Sequence, residues 1–298
     1  AAAAIAAGLC DTVLIVYANT PKGDRKRTGA LRGDPAPWGT DFAEFEAPYG
    51  IMMPLGPYAL AAQRHMAVHG TTPEQLARFA VASRSWAADN PRARNREPLT
   101  VDDVMAQSAI CGPLRPADCC LITDGAGAVV MTRADRAREL RPDAAFVLGA
   151  ASAQSHLTIP AMEDLTVTPG AVSGPNAFAM AGITPADVDV LQIYDSFTIT
   201  VLLALEDLGF CAKGDGGAFV EAGHIEPGGS LPTNTSGGGL SYTHPGMFGV
   251  FLLVEAARQL RGRSSGQVVD DVDISVAHGC GGVLSSTGTI VLGGEATV

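Results

Sequence analysis

Residues 233–249, TNTSGGGLSYTHPGMFG, combine a glycine run, a His-Pro pair and the beginning of an apolar helix. The first turn of a helix offers unpaired N–H groups and a partial positive charge. A histidine at that place, His244, would have a lowered pKa and could donate a hydrogen bond to an oxygen that gains negative charge. Ser236, Gly237 and Gly238 are the candidate substrate-binding residues of the run. The plainer alternative is a flexible glycine loop with an incidental histidine.

A second polar stretch, HGCGG at 278–282, directly follows apolar residues that predict a buried strand. Glycines on both sides of Cys280 would let the backbone approach a substrate closely, and the neighbouring His278 could lower the pKa of the thiol. Either side chain could move a proton near neutral pH, and the sequence leaves open which one is the base. The alternative is a cysteine packed in the core.

A third candidate, Tyr194, lies at the junction between a predicted strand and a predicted helix, in the sequence YDSF. Catalytic side chains often project from such strand ends. Its phenol is a hydrogen-bond donor with an ordinary pKa near ~10. A core tyrosine with a satisfied hydroxyl is the alternative.

Several other patterns do not support a site. The GRSSG at 262–266 has a helix before it and a strand after it, whereas a nucleophile elbow needs the reverse order. The sequence contains no P-loop, and the glycines at 124–127 precede a strand rather than a helix. His65 and His69 lie one turn apart but form no HExxH motif, so a solvated helix face is the simpler interpretation. No metal site is predicted.

Composition limits the classes of function. A chain of 298 residues with 47% hydrophobic residues can bury roughly three quarters of its unfolded surface. The net charge of −11 disfavours nucleic-acid binding, which needs a basic face. The apolar stretch 1–18 is interrupted by Gly8 and Asp11, so no membrane span is expected. The six cysteines include no CxxC pair, which favours a reducing cytoplasm and disfavours zinc.

The predicted elements repeat. A helix followed by an apolar strand occurs at 1–18 and again at 249–277, and each half then ends in a glycine-rich turn and a strand. We therefore expect an α/β fold of two pseudo-symmetric halves, residues 1–144 and 145–298, that share one core.

Four local predictions accompany this scheme. Residues 11–18 are apolar on both faces, which predicts a buried parallel strand. Residues 119–132 predict a hairpin of two strands around a glycine-rich turn, and residues 19–57 a long functional or oligomeric loop. Thr72 and Pro73 predict the beginning of a helix. The chain opens as AAAAIAAGLC without a methionine or a helix cap, so we expect it to be N-terminally truncated.

Taken together, these pieces resemble the thiolase family, and within it the branch of sterol-carrier-protein thiolases and lipid-transfer proteins, which is acetyl-CoA acetyltransferase-like. The resemblance covers nearly the whole chain. It rests on the stretches GLCDTVLIVYA, TPEQLARFAVASRSWA, DCCLITDGAGAVVMT, YDSFT, SGGGLSYTHPGMFG and HGCGGVLSSTGTIVLG. It implies a layered αβαβα core, a loop domain at about 19–110 that covers coenzyme A, and a homodimer formed through the strand at 11–18.

The resemblance also implies roles. The nucleophilic cysteine of thiolases would lie upstream of Ala1, and Cys10 is not it. His244 matches the His-Pro histidine that activates the nucleophile or lines the oxyanion site. Cys280 falls close to the second, acid/base cysteine, and His278 near the histidine of the sterol-carrier branch; the local spacing differs from both patterns.

Tyr194 departs from the asparagine of thiolases and from the histidine of the sterol-carrier branch. Relatives with a tyrosine there resemble acyl-CoA retro-aldolases that shorten steroid side chains with a small OB-fold, zinc-ribbon partner protein. The first expectation is thus an acyltransferase that makes or breaks a C–C bond through a thioester enolate, with a retro-aldolase as the alternative. A non-catalytic acyl-CoA or lipid carrier is a third. In each case coenzyme A belongs to the substrate, and no cofactor is expected.

Overall fold

A computed structural model of the chain describes residues 1–28, 45–51 and 53–298. Strand β1 (Thr12–Asn19) pairs antiparallel with β2 (Gly125–Thr132), from Thr12 opposite Thr132 to Asn19 opposite Gly125. Two predictions are therefore wrong. The strand near 11–18 is antiparallel and half exposed, and residues 119–124 form no strand, so there is no hairpin at 119–132. The partner of β2 lies more than a hundred residues away, which a local pattern cannot reveal.

Helices α1 (Ala2–Ala6) and α2 (Pro21–Thr28) flank β1, and α3 (Leu55–His69), α4 (Pro73–Ala88) and α5 (Val101–Met105) follow. The prediction at Thr72 is confirmed: the Thr72 hydroxyl accepts a hydrogen bond from Gln75 N–H while the Gln75 side chain accepts one from Thr72 N–H. Part of the predicted loop 19–57, positions 29–44 and 52, lies outside the described residues. The short α6 (Ala134–Leu140) follows β2, and the division of the chain at residue 144 stays a prediction.

The second half contains a four-stranded sheet. Its strands β3 (Phe146–Gln154), β4 (Val190–Ile193), β5 (Ile274–Gly281) and β6 (Ser286–Gly293) lie in the order β3-β6-β5-β4. β4 and β5 are parallel, and the other two pairings are antiparallel. The helices of this half are α7 (Gly170–Ala181), α8 (Thr198–Asp207), α9 (Gly216–Glu221) and α10 (Gly249–Gln259), and a π-helical turn spans Gly238–Tyr242. Short 3-10 turns lie at Ala47–Tyr49, Pro116–Asp118, Ile159–Ala161, Pro185–Asp187 and Glu295–Thr297.

Helix α10 joins the two sheets. It packs on β5 and β4 with one side and on β2 and β1 with the other. The approach to β2 is close because β2 is rich in glycine: a Cβ on Gly127 would lie 3.0 Å from Val250. On the opposite face of the four-stranded sheet, α7 packs on β3 and β6, and α8 is buried along its whole length. The structure is thus layered in the order sheet, helix, sheet, helix, which agrees with the predicted α/β architecture.

Within the ranges 1–28, 45–51 and 53–298, we find no helix with the length and apolar character needed to cross a bilayer.

Two strand glycines differ in their surroundings, which gives a stability prediction. A Cβ on Gly149 in β3 would lie 2.2 Å from the Ala177 carbonyl oxygen of α7, whereas a Cβ on Gly288 in β6 would meet nothing within 4 Å. We expect Gly149→Ala to lower the free energy of unfolding by about 1–3 kcal/mol because the helix must move away. We expect Gly288→Ala to leave it unchanged or slightly raised. Urea denaturation of both variants checks this, and equal midpoints would contradict it.

Candidate active site

The site lies where β4 and β5 end. The two strands are parallel, so their carboxyl ends meet at one edge of the sheet. Tyr194 directly follows β4, and its N–H donates a hydrogen bond of 2.9 Å to the His278 carbonyl of β5. The Tyr194 side chain lies on the face that α10 covers, with its ring centroid 6.1 Å from that of Phe248.

Tyr194 and His244 are in direct contact. The Tyr194 hydroxyl lies 2.7 Å from Nε2 of His244 and 2.8 Å from the Gly246 carbonyl oxygen. A phenol has one proton, so it donates to one of these acceptors at a time. The two candidate residues, 50 positions apart in the sequence, form one hydrogen-bonded couple.

The first half of the chain holds His244 in place. The His244 N–H donates to the Thr123 hydroxyl at 2.9 Å, and the Thr123 N–H donates to the His244 carbonyl at 3.3 Å. The Thr123 and Thr243 hydroxyls are 2.7 Å apart. The loop before β2 therefore positions a histidine that belongs to the second half.

Burial sets the protonation states of the couple. It lowers the pKa of His244 to about 4, against a smaller opposite effect of a hydrogen bond with the Leu121 backbone. Burial raises the pKa of Tyr194 well above its usual range, and nearby acidic groups, Cys120 first among them, add to this. At neutral pH the couple is thus a neutral imidazole against a protonated phenol.

The glycine run binds a carboxylate of the protein itself. The N–H groups of Gly239 and Leu240 donate to Asp195 at 2.7 and 3.2 Å. Burial raises the pKa of Asp195 to about 7, and these hydrogen bonds oppose the shift. Gly238 has φ +59°, and a Cβ there would lie 2.2 Å from Oδ2 of Asp195. The run leads into the π-helical turn, and the apolar helix α10 begins at Gly249 as predicted, five residues after His244.

Ser236 and Gly237 pack toward α4. The Ser236 carbonyl accepts a hydrogen bond of 2.9 Å from the Asn90 side chain, and the Gly237 carbonyl accepts one of 2.7 Å from the Ser83 hydroxyl. A Cβ on Gly237 would lie 2.6 Å from that of Ala87. The approach of Ala87 explains why position 237 is a glycine. Substrate binding by Ser236, Gly237 and Gly238 stays a prediction.

His278 and Cys280 belong to the other face of the sheet. Side chains alternate along β5, so positions 278 and 280 point away from Ala277, which packs with Phe248 on the α10 face. Nδ1 of His278 lies 2.9 Å from the Thr289 hydroxyl, and burial lowers the pKa of His278 to about 4. Cys280 packs in the main core, and burial raises its pKa to about 12. Cys280 still interacts electrostatically with Tyr194, and the expected convergence of this pair with His244 on one oxygen stays a prediction.

Sequence reasoning did not single out Tyr58 and Cys120. Tyr58 of α3 is buried, and its hydroxyl donates to the Gly282 carbonyl at 3.3 Å. The Cys120 N–H donates to the Ser196 carbonyl at 3.0 Å, next to Asp195. Both side chains interact electrostatically with Tyr194. No motif marks them, since a tyrosine in an apolar helix and a Cys-Cys pair are typical of a core.

The remaining histidines and thiols have structural surroundings. His65, expected on a solvated face, is instead buried, with Nδ1 2.7 Å from the Thr71 hydroxyl and Nε2 3.0 Å from Glu206. Burial raises the pKa of Cys119 and Cys211 to about 12 and that of Cys120 further still. In the part of the chain that the structure describes, no three His, Cys, Asp or Glu side chains are grouped as metal ligands.

Comparisons with known proteins agree with this arrangement. Residues 151–294 match the family model "Thiolase C-terminal domain-like". The chain is 37% identical to an acetyl-CoA acetyltransferase of Methanothermobacter thermautotrophicus over 94% of this chain and 72% of that protein. It is 35% identical to a steroid side-chain-cleaving aldolase of Thermomonospora curvata over 99% and 76% of the two chains.

Among solved structures, one named Ltp2-ChsH2(DUF35) aldolase superposes with a TM-score of 0.87 at 32% identity, covering 99% of this chain and 75% of that one. These matches cover nearly the whole chain, including the elements that carry Tyr194 and His244. The chain belongs to the thiolase family.

Proposed function

We propose that the protein cleaves a β-hydroxyacyl-CoA by a retro-aldol reaction through a thioester enolate. The observation that carries the proposal is the contact of 2.7 Å between the Tyr194 hydroxyl and Nε2 of His244. A tyrosine–histidine couple supplies a proton relay without a nucleophile. The relatives named as a steroid side-chain-cleaving aldolase and as Ltp2-ChsH2(DUF35) aldolase support this choice.

In the proposed step the substrate β-hydroxyl gives its proton to the Tyr194 oxygen while the phenol proton passes to Nε2 of His244. The Cα–Cβ bond breaks, its electron pair forms the thioester enolate, and the β-carbon becomes a carbonyl. Return of the proton to Cα releases the shortened acyl-CoA. His244 suits this task because burial keeps its imidazole neutral and able to accept a proton.

Thiolase-type acyl transfer is the second candidate, and the 37% identity to an acetyl-CoA acetyltransferase supports it. That reaction needs a cysteine thiolate. Cys120 and Cys280 have raised pKa values and are poor candidates for this role. The resemblance to thiolases places the nucleophilic cysteine upstream of Ala1, so the thiols of this chain do not separate the two candidates. Thiolysis of a β-ketoacyl-CoA, assayed beside ketone release from a β-hydroxyacyl-CoA, separates the two candidates. Tight acyl-CoA binding with neither reaction would support the carrier.

Coenzyme A enters this proposal as part of the substrate, and no bound cofactor takes part. We also propose that an OB-fold, zinc-ribbon partner protein contributes to activity, which the two-component name of the solved aldolase supports. Ketone release by the chain alone and with such a partner tests this. All six cysteines carry free thiols, which supports the proposal of a cytoplasmic protein.

Tyr194→Phe removes only the hydroxyl of the couple. We expect kcat/KM for ketone release to fall by about 100-fold or more, because the relay loses the oxygen that receives the substrate proton. The matched control is Ser230→Ala, which also removes one hydroxyl, since Ser230 is exposed and its hydroxyl contacts His224 rather than the couple. Unchanged ketone release by the Tyr194 variant, with the fold intact by circular dichroism, would rule out the relay.

The pH dependence of kcat/KM follows from the lowered pKa of His244, about 4. The active form is the neutral imidazole, so activity should stay level from pH 8 to about 5 and fall only as pH approaches 4. An ordinary histidine would give a loss near pH ~6.5. Asp195, with a pKa of about 7, titrates in the same range, so a limb there contradicts the assignment if it persists in Asp195→Asn.

Folding must be followed across the same range. His244 and His278 both have lowered pKa values in the folded state. For these two groups the unfolded chain takes up protons below pH ~6.5 that the folded chain does not, so they lower stability from there toward pH 4. Asp195, with its pKa raised to about 7, opposes part of this change because the folded chain binds its proton first. Near-ultraviolet circular dichroism at each pH separates this loss from titration of the active couple.

We further propose a homodimer that forms through β1. On the outer face of the first sheet, Leu14 and Val16 of β1 and Val130 of β2 are exposed. Contiguous exposed apolar side chains on a sheet favour protein–protein contact.

Val16→Lys should therefore shift the sedimentation coefficient from dimer to monomer, because a charge would be buried at the contact. Val68→Lys, on the exposed side of α3, is the matched control. A wild-type protein that sediments as a monomer at micromolar concentration would refute the dimer.

A further inference from the structure

Two glycines that face each other across β5 and β6 form a patch of sheet without side chains. Gly279 pairs with Gly288, and both are partly exposed. A Cβ on Gly288 would meet nothing within 4 Å, and one on Gly279 would meet only the Gly288 carbonyl oxygen at 4.0 Å. We call this pair the glycine floor.

Neither local conformation nor packing explains the glycine floor. Neither residue has a positive φ. Gly149 of β3, by contrast, is small because a Cβ there would strike the Ala177 carbonyl oxygen at 2.2 Å. Glycine inside a strand costs about 0.5–1 kcal/mol relative to alanine, and it often marks a place where a ligand or backbone approaches closely. Because the space in front of this pair is open, the close approach of a ligand is the explanation that remains.

The glycine floor lies beside Tyr194. Ile193 pairs with His278, so the next position along the parallel strands brings Tyr194 next to Gly279, and both project to the α10 face. On that face the preceding pair, Ala277 and Ile290, packs against α10. The floor begins where the helix cover ends, at the edge of the sheet that carries the couple.

We infer that Gly279 and Gly288 determine which β-carbon substituents the site accepts, which rests on the retro-aldol function proposed above. A β-hydroxyl that donates to the Tyr194 oxygen places the β-carbon within about 4 Å of that oxygen. The remaining substituents of the β-carbon then need space on the sheet side. The glycine floor provides it, and a single methyl group on either glycine fills part of it.

The test compares two thioesters. (1-Hydroxycyclopentyl)acetyl-CoA has a fully substituted β-carbon and releases cyclopentanone, while 3-hydroxybutanoyl-CoA has a slim β-carbon and releases acetaldehyde; both leave acetyl-CoA. We expect Gly279→Ala and Gly288→Ala to lower the ratio of kcat/KM for the bulky over the slim thioester by about 10-fold or more, the usual effect of one methyl group in a pocket. Gly279→Val should lower it further.

Gly294→Ala is the control, because a Cβ there also meets nothing within 4 Å but the residue lies beyond the end of β6. Its ratio should equal that of the wild type. The inference would be overturned if kcat/KM fell equally for both thioesters in the floor variants, or if the ratio of kcat/KM stayed unchanged while folding was intact. Either result would leave the retro-aldol function standing.

Failure of the proposed function looks different, since the wild type would then release neither carbonyl product. In that case the dissociation constants of the two thioesters, measured by calorimetry, give the same test. Selective weakening of the cyclopentyl thioester in Gly279→Ala supports the glycine floor, and parallel or absent weakening refutes it.

Discussion

The buried carboxylate of Asp195 connects the two parts of the site. It follows Tyr194 at the end of β4, and it accepts hydrogen bonds from the N–H groups of Gly239 and Leu240 in the π-helical turn. That turn leads within a few residues to His244. Hydrogen bonds to a carboxylate are among the stronger ones in proteins, and here they are fully shielded from water. The position of the imidazole next to the phenol thus depends on a buried carboxyl group that takes no direct part in the proposed chemistry.

Desolvation then determines what the couple can do. Burial favours the uncharged form of every titratable group at this edge of the sheet: imidazole, phenol and thiols all shift in that direction. Because the phenol and the thiols stay neutral, they do not repel the negative charge of a developing enolate. Proton relay between neutral groups fits such surroundings, whereas Cys120 or Cys280 would have to form a thiolate against the same desolvation.

Local sequence signals were sufficient for part of this structure. The cap at Thr72 and the strands of the second half follow from residue types and periodicity, and the structure brings Tyr194 and His244 together as expected. The face of Cys280 was not predictable, because a shift of one residue along β5 reverses every side chain. The role of the glycine run was hidden too, since its partner Asp195 lies more than 40 residues away. The pairing of β1 with β2 was not predicted for the same reason, because a contact between distant parts of the sequence leaves no local pattern.

Helix α10 contacts both sheets, and Gly127 allows Val250 to approach β2 closely. The helix therefore acts as a rigid spacer whose two sides cannot relax separately. A larger side chain on β2 would displace Phe248 at its start, and with it the wall against which the Tyr194 ring rests. Residues of the first sheet can in this way tune chemistry in the second without ever meeting a substrate.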